Sequence, residues 1–326
     1  MRSDDQLDRD HTPAVLIAEA DAGDGEAAHH LALMSASGLA RPQDWAEALR
    51  RLDQAAANGH ALAEETRRFL GPGFDLEAWL AAPDPVELST APHVLAITGF
   101  VPRAICDWFR DRADPYLDRS PVSDPRTGGP MVHRIRTNSS ASFDILDCDL
   151  VMMLVRERIA RTTGHPTLGM EPVEVLHYAV GETFAPHYDW LDPDVPGYAA
   201  DLAADGQRAV TFLTYLNDDY EGGETEMEAI GLRYRAAAGD ALYWSNIKPN
   251  GRIDLAARHA GLPPTTGEKW LYSQWLRDKM TWSRTATTVS SEASAEAMAV
   301  TTLTRSAWPA EWAAIWVSAD RVASAA

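Results

Sequence analysis

Residues 209–216 read AVTFLTYL and residues 269–276 read KWLYSQWL. Both runs are dense in aromatic, β-branched and other apolar residues, and both are shorter than an ordinary helix, which makes them strands. Three further runs share this character: VEVLHYAV at 173–180, GLRYRA at 231–236 and DALYWS at 240–245. Gly, Asp, Asn and Pro divide them, which is the punctuation of turns rather than of crossover helices. Successive short strands without intervening helices predict a sandwich, barrel or jelly roll. The fold class expected is therefore mainly β with flanking α.

Upstream of Gly169 the pattern is helical. One helix is predicted to carry Ile105, Trp108, Phe109, Ala113 and Tyr116 on one face, and a second Val151, Leu154, Val155 and Ile159. Between them SPVSDPRTGGP, residues 120–130, is a turn-rich loop expected to be mobile. Residues 81–93, AAPDPVELSTAPH, hold three prolines and are expected to be a linker. The organisation expected is a helical region over 1–80, that linker, a β domain over 94–280, and a partly disordered tail over 281–326. The tail contains WPAEWAAIWV at 308–317, a candidate short helix.

Residues 12–80 are alanine-rich. GDGEAAHHLALMSASGLA, residues 23–40, predicts a helix ending near Gly38. Ala46, Leu49, Leu52, Ala56 and Ala57 predict the buried face of another, stopped by Gly59. Helix, loop and a helix ending in Ala-Ala-Ala-Asn-Gly-His resemble a Sel-like tetratricopeptide repeat over about one and a half repeats. The alternative is a plain helical cap on the next domain. A protein partner through these helices is one expectation of the resemblance.

Formal net charge is −19, from 29 basic and 48 acidic side chains. So acidic a chain repels phosphate backbones and anionic lipid, so neither nucleic acid nor a membrane surface is expected as a partner. No apolar h-region opens the sequence, and no apolar run approaches the ~20 residues that span a bilayer. The two cysteines, Cys106 and Cys148, do not make a disulfide framework. A cytoplasmic location is expected by elimination.

His187-Tyr188-Asp189 is the first chemical signal. Residues i and i+2 of an extended chain share a face, so an imidazole and a carboxylate converge. A third ligand is needed, and His259 precedes another predicted strand. Two His and one carboxylate on a β scaffold form the facial triad of non-heme Fe(II) oxygenases, which keeps coordination positions open. An isolated His-x-Asp is more often a surface turn. Of the other histidines, His11, His29, His30 and His60 read as solvated. A turn centred on Pro264 would set His259 opposite Lys269 on paired strands. A lysine projecting into a metal pocket is costly unless it meets an anion, and a dicarboxylic keto acid offers one.

These residues resemble the prolyl 4-hydroxylase branch of the Fe(II)/2-oxoglutarate dioxygenases. The resemblance covers about residues 95–279. It runs through ITGFVPRAICDWF (97–109), RTNSSASF (136–143), VEVLHYAVGETFAPHYDWLD (173–192), RAVTFLTYLNDDYEGGETEM (208–227), GDALYWSN (239–246) and HAGLPPTTGEKWLYSQWLR (259–277). It implies a double-stranded β-helix, iron ligands His187, Asp189 and His259, and Lys269 and Tyr178 on the co-substrate 2-oxoglutarate. It also implies Arg136 at the peptide groove, O2 as oxidant and ascorbate as reductant. Arg258 before the distal histidine, and Glu226, Met227 and Glu228 after Gly-Gly-Glu-Thr, depart from the family pattern and bear on substrate preference. The insertion DPDVPGYAADLAADGQ, residues 192–207, is expected to be a lid.

Three functions compete. The first is hydroxylation of prolyl residues in a peptide or protein, with release of succinate and CO2. The second is the same chemistry on a free amino acid or small metabolite. The third is a helical-repeat adaptor without turnover, against which a complete triad and Lys269 argue.

Overall fold

A computed structural model describes residues 12–279. The tail expected at 281–326, with its Trp-bearing segment, lies outside the described residues. In chain order the helices are α1 (Pro13–Asp21), α2 (Gly25–Ser37), α3 (Trp45–Ala57), α4 (Ala61–Leu70), α5 (Leu76–Leu80), α6 (Arg103–Ala113), α7 (Leu150–Thr163) and α8 (Ala199–Asp205). The early strands are β1 (Val86–Thr90), β2 (His93–Ile97), β3 (Asp118–Arg119), β4 (Val122–Ser123), β5 (Pro130–Met131) and β6 (Ser139–Phe143). The later ones are β7 (Val173–Tyr178), β8 (Phe184–His187), β9 (Arg208–Tyr215), β10 (Glu221–Gly222), β11 (Thr225–Met227), β12 (Leu232–Tyr234), β13 (Ala241–Ser245), β14 (His259–Gly261), β15 (Pro264–Thr266) and β16 (Lys269–Arg277).

Two compact units form. The first joins the residues up to Ala81 with Asp144–Leu168. Several of its helices start on aspartates whose carboxylates accept backbone N–H bonds: Asp24 from Ala27, Asp44 from Glu47, and Asp149 from Met152 at 2.9 Å. Each such cap is worth ~1 kcal/mol. Gly38 and Gly164, at φ +83° and +72°, end α2 and α7 in the left-handed conformation that glycine adopts without strain. Every residue of α7 from Leu150 to Ile159 is buried, so it is wrapped on all sides, not on one face. The alanine pattern misplaces the face of α3: Trp45, Ala48, Arg51, Leu52 and Ala55 are buried, whereas Ala46 and Ala57 are exposed. Alanines all round a helix flatten its periodicity, and Trp45 decides the buried side. His29 is also buried, stacked on His60 with ring centroids 4.3 Å apart, and burial pushes it down to about 3.

The second unit joins Ala82–Phe143 with Gly169–Lys279. Its large sheet has the order β1-β2-β13-β9-β16-β7-β6-β3, and a smaller one the order β12-β11-β14-β8. From β7 onward the chain passes repeatedly from one sheet to the other, and pairing throughout is antiparallel. This is the expected double-stranded β-helix. Leu176, Tyr178, Leu213, Met227, Trp244 and Leu271 form its inner core. α6 covers the outer face of the large sheet, where Phe109 meets Tyr272 edge-on at 5.0 Å. Burying such an aromatic contributes ~1.5–3 kcal/mol. With both faces covered, β16 is buried along nearly its whole length. The stretch expected to be a linker, 81–93, contains β1, which pairs with β2 and extends the large sheet; its prolines lie outside the paired residues. Tyr116 falls in a 3-10 turn beyond α6 and is exposed. Residues 120–130 include one strand and the start of the next in a small hairpin, Val122 opposite Met131.

Candidate active site

β8 and β14 are neighbours in the small sheet, and His187 stands directly opposite His259. Directly opposed residues share a face, so both imidazoles project inward. His187 Nδ1 lies 2.9 Å from the Ala185 carbonyl, and His259 Nδ1 lies 3.1 Å from that of Ala257. A carbonyl only accepts, so each Nδ1 carries the proton and each Nε2 is left as the lone-pair donor. Asp189, just past β8, brings its carboxylate to 3.5 Å from His187 Nε2 and 3.3 Å from His259 Nε2. One ligand atom from each of the three lies within 4.8 Å of the others, the one such group among the described residues. The donor chemistry fits a divalent iron: two neutral imidazoles and one carboxylate. Burial pushes His259 down to about 4 despite the pull of Asp189, which favours the neutral, metal-binding form. Burial alone would raise the Asp189 carboxyl, but His259, His187 and Thr211 outweigh it and hold it well below the usual range.

A second layer fixes the carboxylate. Thr211 Oγ1 donates to Asp189 Oδ2 at 2.6 Å, and Asn246 Nδ2 donates to Thr211 Oγ1 at 2.8 Å. Trp244 Nε1 donates to Asn246 Oδ1 at 3.0 Å, and the Trp244 ring meets His259 edge-on at 4.5 Å. All three residues sit on or just past two adjacent strands, with Thr211 opposite Trp244. Sequence reasoning missed Thr211 and Asn246 as site residues. Their only signal is a polar residue in an otherwise apolar run, and which ligand it serves depends on register between strands.

Lys269 is fully buried, and its ammonium donates to the Gly223 carbonyl at 2.6 Å. It stands opposite Tyr178 on β7, with Nζ 5.2 Å from that ring. Burial pushes Lys269 down to about 7 and the Tyr178 hydroxyl up to about 12, so the phenol stays protonated. The hairpin expected between His259 and Lys269 does not exist. β14 pairs with β8 and β11, whereas β16 pairs with β7 and β9. The cause is the intervening β15, which pairs with β10 and lets the chain cross from the small sheet to the large one. His259 and Lys269 therefore belong to opposite sheets and line the same cavity.

That cavity opens to solvent, with about 420 Å³ of empty space when its mouth is included. Arg136, Tyr178, Phe184, the triad, Thr211, Trp244, Lys269 and Trp275 are among its walls. Arg136 Nη1 donates to the Pro121 carbonyl at 2.9 Å and Nε to Asn138 Oδ1 at 3.1 Å, and its guanidinium lies 4.7 Å from the Phe184 ring centroid. All six residues that the sequence singled out thus face one cavity.

The 2OG-Fe(II) oxygenase superfamily model matches residues 173–277, which contain the triad and Lys269. The prolyl 4-hydroxylase subunit alpha-1 of Rattus norvegicus is 30% identical over 188 residues, covering 58% of this chain and 35% of its own length. The probable prolyl 4-hydroxylase 3 of Arabidopsis thaliana is 30% identical over 208 residues, covering 58% of this chain and 70% of its own. A viral collagen prolyl hydroxylase from Paramecium Bursaria Chlorella virus-1, solved as its 2OG complex, shares 23% identity at a TM-score of 0.44, over 56% of this chain and 94% of that one. The chain belongs to the 2OG-Fe(II) oxygenase superfamily. Members of that superfamily are oxygenases that use Fe(II) and 2-oxoglutarate, and the triad of this chain offers donors of that kind. Its named relatives are prolyl 4-hydroxylases, and it spans about a third of the animal subunits' length, 35% in the rat protein.

Proposed function

We propose that this chain hydroxylates prolyl residues in an extended peptide or protein segment, converting 2-oxoglutarate to succinate and CO2. The observation that carries the reading is the triad and the buried Lys269 on the walls of one cavity. His187, Asp189 and His259 hold the iron, which when bound supplies the oxidising chemistry. Lys269 binds the distal carboxylate of 2-oxoglutarate, and the Tyr178 hydroxyl donates a hydrogen bond to the same co-substrate. A buried ammonium beside a carboxylate makes a charge-assisted contact in a low-dielectric site. Thr211 and Asn246 keep Asp189 oriented while ligands exchange. Leu176, Leu213, Leu271 and Trp244 line the interior and exclude water.

The peptide half of the proposal rests on Arg136 and on the relatives' names. Arg136 faces the cavity on a strand bridge to Phe184, where a guanidinium can meet a substrate carbonyl. A proline-rich segment suits such a wall, because polyproline II leaves its carbonyls unpaired and loses little entropy on binding. Mass spectrometry of proline-containing peptides and of free proline, incubated with enzyme, Fe(II), 2-oxoglutarate and ascorbate, tests the reading. Hydroxyproline in peptide supports it. Hydroxylation of free proline with peptides untouched replaces it with a small-metabolite enzyme.

The proposed location is the cytoplasm. Cys106 and Cys148 are buried and form no disulfide, and no helix among the described residues is long and apolar enough to cross a membrane. Recovery of the protein in a secreted or periplasmic fraction would overturn it.

A further inference from the structure

We infer that Arg277 is a positioning residue that fastens the 192–207 insertion to the ion pair behind the Trp275 wall of the cavity, so that the insertion is held in place rather than free as a lid. The inference rests on the proposed peptide reading for its kinetic half only.

Arg277 ends β16, two residues beyond cavity-lining Trp275 and on the same side of the strand. Its side chain is 3% exposed and reaches in three directions. Nη2 donates to Asp201 Oδ2 on α8 at 2.8 Å, Nη1 donates to the Gly206 carbonyl at 2.7 Å, and Nε lies 2.5 Å from Glu171 Oε1. Two of these partners belong to the insertion. The third, Glu171, also takes both branches of Arg208, at 2.7 and 2.8 Å. The Arg208 guanidinium in turn lies 3.8 Å from the centroid of the Trp275 ring. One planar cation thus ties the insertion helix to the ion pair that backs a cavity wall.

The insertion is fastened at both ends. At its base, Gln207 donates through Nε2 to the Leu191 carbonyl at 2.6 Å and accepts from the Leu191 N–H at 2.7 Å. The Gln207 N–H donates to Asp278 Oδ1 at 2.8 Å. At its tip, the Gly197 N–H donates to the Pro125 carbonyl at 3.2 Å. Burial pushes the Glu171 carboxyl up, but Arg208 and Arg277 outweigh it and keep it ionised. The guanidinium hydrogen-bonds two divergent oxygens, Asp201 Oδ2 and the Gly206 carbonyl, while pairing by charge with Glu171, and a lysine ammonium on the same stem does not span them with fork geometry.

Hydrogen–deuterium exchange on the full chain, without metal or substrate, tests the structural half. Arg277→Ala and Asp201→Asn should raise exchange at amides 199–207 while β14 and the strand ends at the triad keep their protection. Arg277→Lys should fall between them and the wild type. Steady-state kinetics with a prolyl peptide test the other half: KM rises roughly tenfold in Arg277→Ala with kcat changed much less, and Arg277→Lys recovers part of the loss. Asp201→Asn leaves the Arg277–Glu171 contact in place and so covers the case in which Arg277→Ala fails to fold. Unchanged exchange over 199–207 in Asp201→Asn overturns the inference, as does a uniform loss of protection across the domain. If exchange rises as stated but wild-type enzyme ignores peptides, the fastening stands and the peptide reading fails.

Discussion

At the scale of single residues, the ligand types were legible and their supports were not. His-x-Asp and a distant histidine declare themselves by chemistry, and Lys269 by its cost when buried. Thr211, by contrast, gains meaning only when β9 lies beside β13 and under Asp189. Thr211→Ala should weaken Fe(II) or Mn(II) affinity ~10–100-fold while the fold persists, as removal of an outer-layer partner does; unchanged affinity by calorimetric titration would show that the hydrogen bond does not orient the ligand. Lys269→Ala should weaken 2-oxoglutarate binding by ~1.5–3 kcal/mol with metal binding intact. The pH dependence has a definite sign. Burial lowers Lys269 from 10.5 to about 7, so between those values the unfolded chain binds the proton and the folded one does not. Lys269 therefore costs stability as pH falls through that window. Binding of a dicarboxylate restores the charge. Its affinity should weaken above pH 7 by up to about tenfold per unit, with proton uptake. A flat affinity from pH 7 to 9 would exclude Lys269 as the anchor.

At the scale of elements, strand runs were readable from composition and pairing was not. KWLYSQWL and AVTFLTYL became β16 and β9, side by side as neighbours of one sheet. The reflection of His259 onto Lys269 about Pro264 predicted a strand pair that does not form, because β15 diverts the chain between sheets; the two residues share only the cavity that both line. The two turn-rich connections read as separate segments, yet they touch through glycines. A Cβ on Gly197 would lie 2.5 Å from the Pro125 carbonyl oxygen and 2.8 Å from the Gly128 nitrogen, both backbone atoms that cannot swing aside. Gly197→Ala should thus displace one connection from the other. Peptide hydroxylation should fall several-fold, and 2-oxoglutarate affinity should stay within about twofold, since Lys269 and the triad are not part of that contact. Equal losses in both measurements would mean that the connections support the metal centre itself.

At the scale of the whole chain, the helical beginning and β-rich remainder were visible in the change of period near Gly169, but the division into units was not. α7 reads as an amphipathic helix of the β domain, yet it belongs with the N-terminal helices in one unit. Its buried Glu157 accepts from Gln43 Nε2 at 2.7 Å, and Arg158 donates to the Ala81 carbonyl at 3.1 Å. No sequence window holds both partners of such contacts. Deleting residues up to Ala81 should therefore strip α7 of its cover, and a chain starting at Ala82 should be markedly less stable or aggregate; a thermal transition equal to that of the full chain would contradict the unit assignment. We propose that one cavity joins a two-His-one-carboxylate iron site to a buried lysine for 2-oxoglutarate. Its most direct test is succinate formed from 2-oxoglutarate, measured by NMR with Fe(II), ascorbate and a prolyl peptide, in the full-length wild type and in Asp189→Ala and His259→Ala. Succinate is expected from the wild type and none above background from either variant, each still folded by circular dichroism. Succinate from Asp189→Ala at the wild-type rate, or none from a folded, iron-loaded wild type, would contradict it.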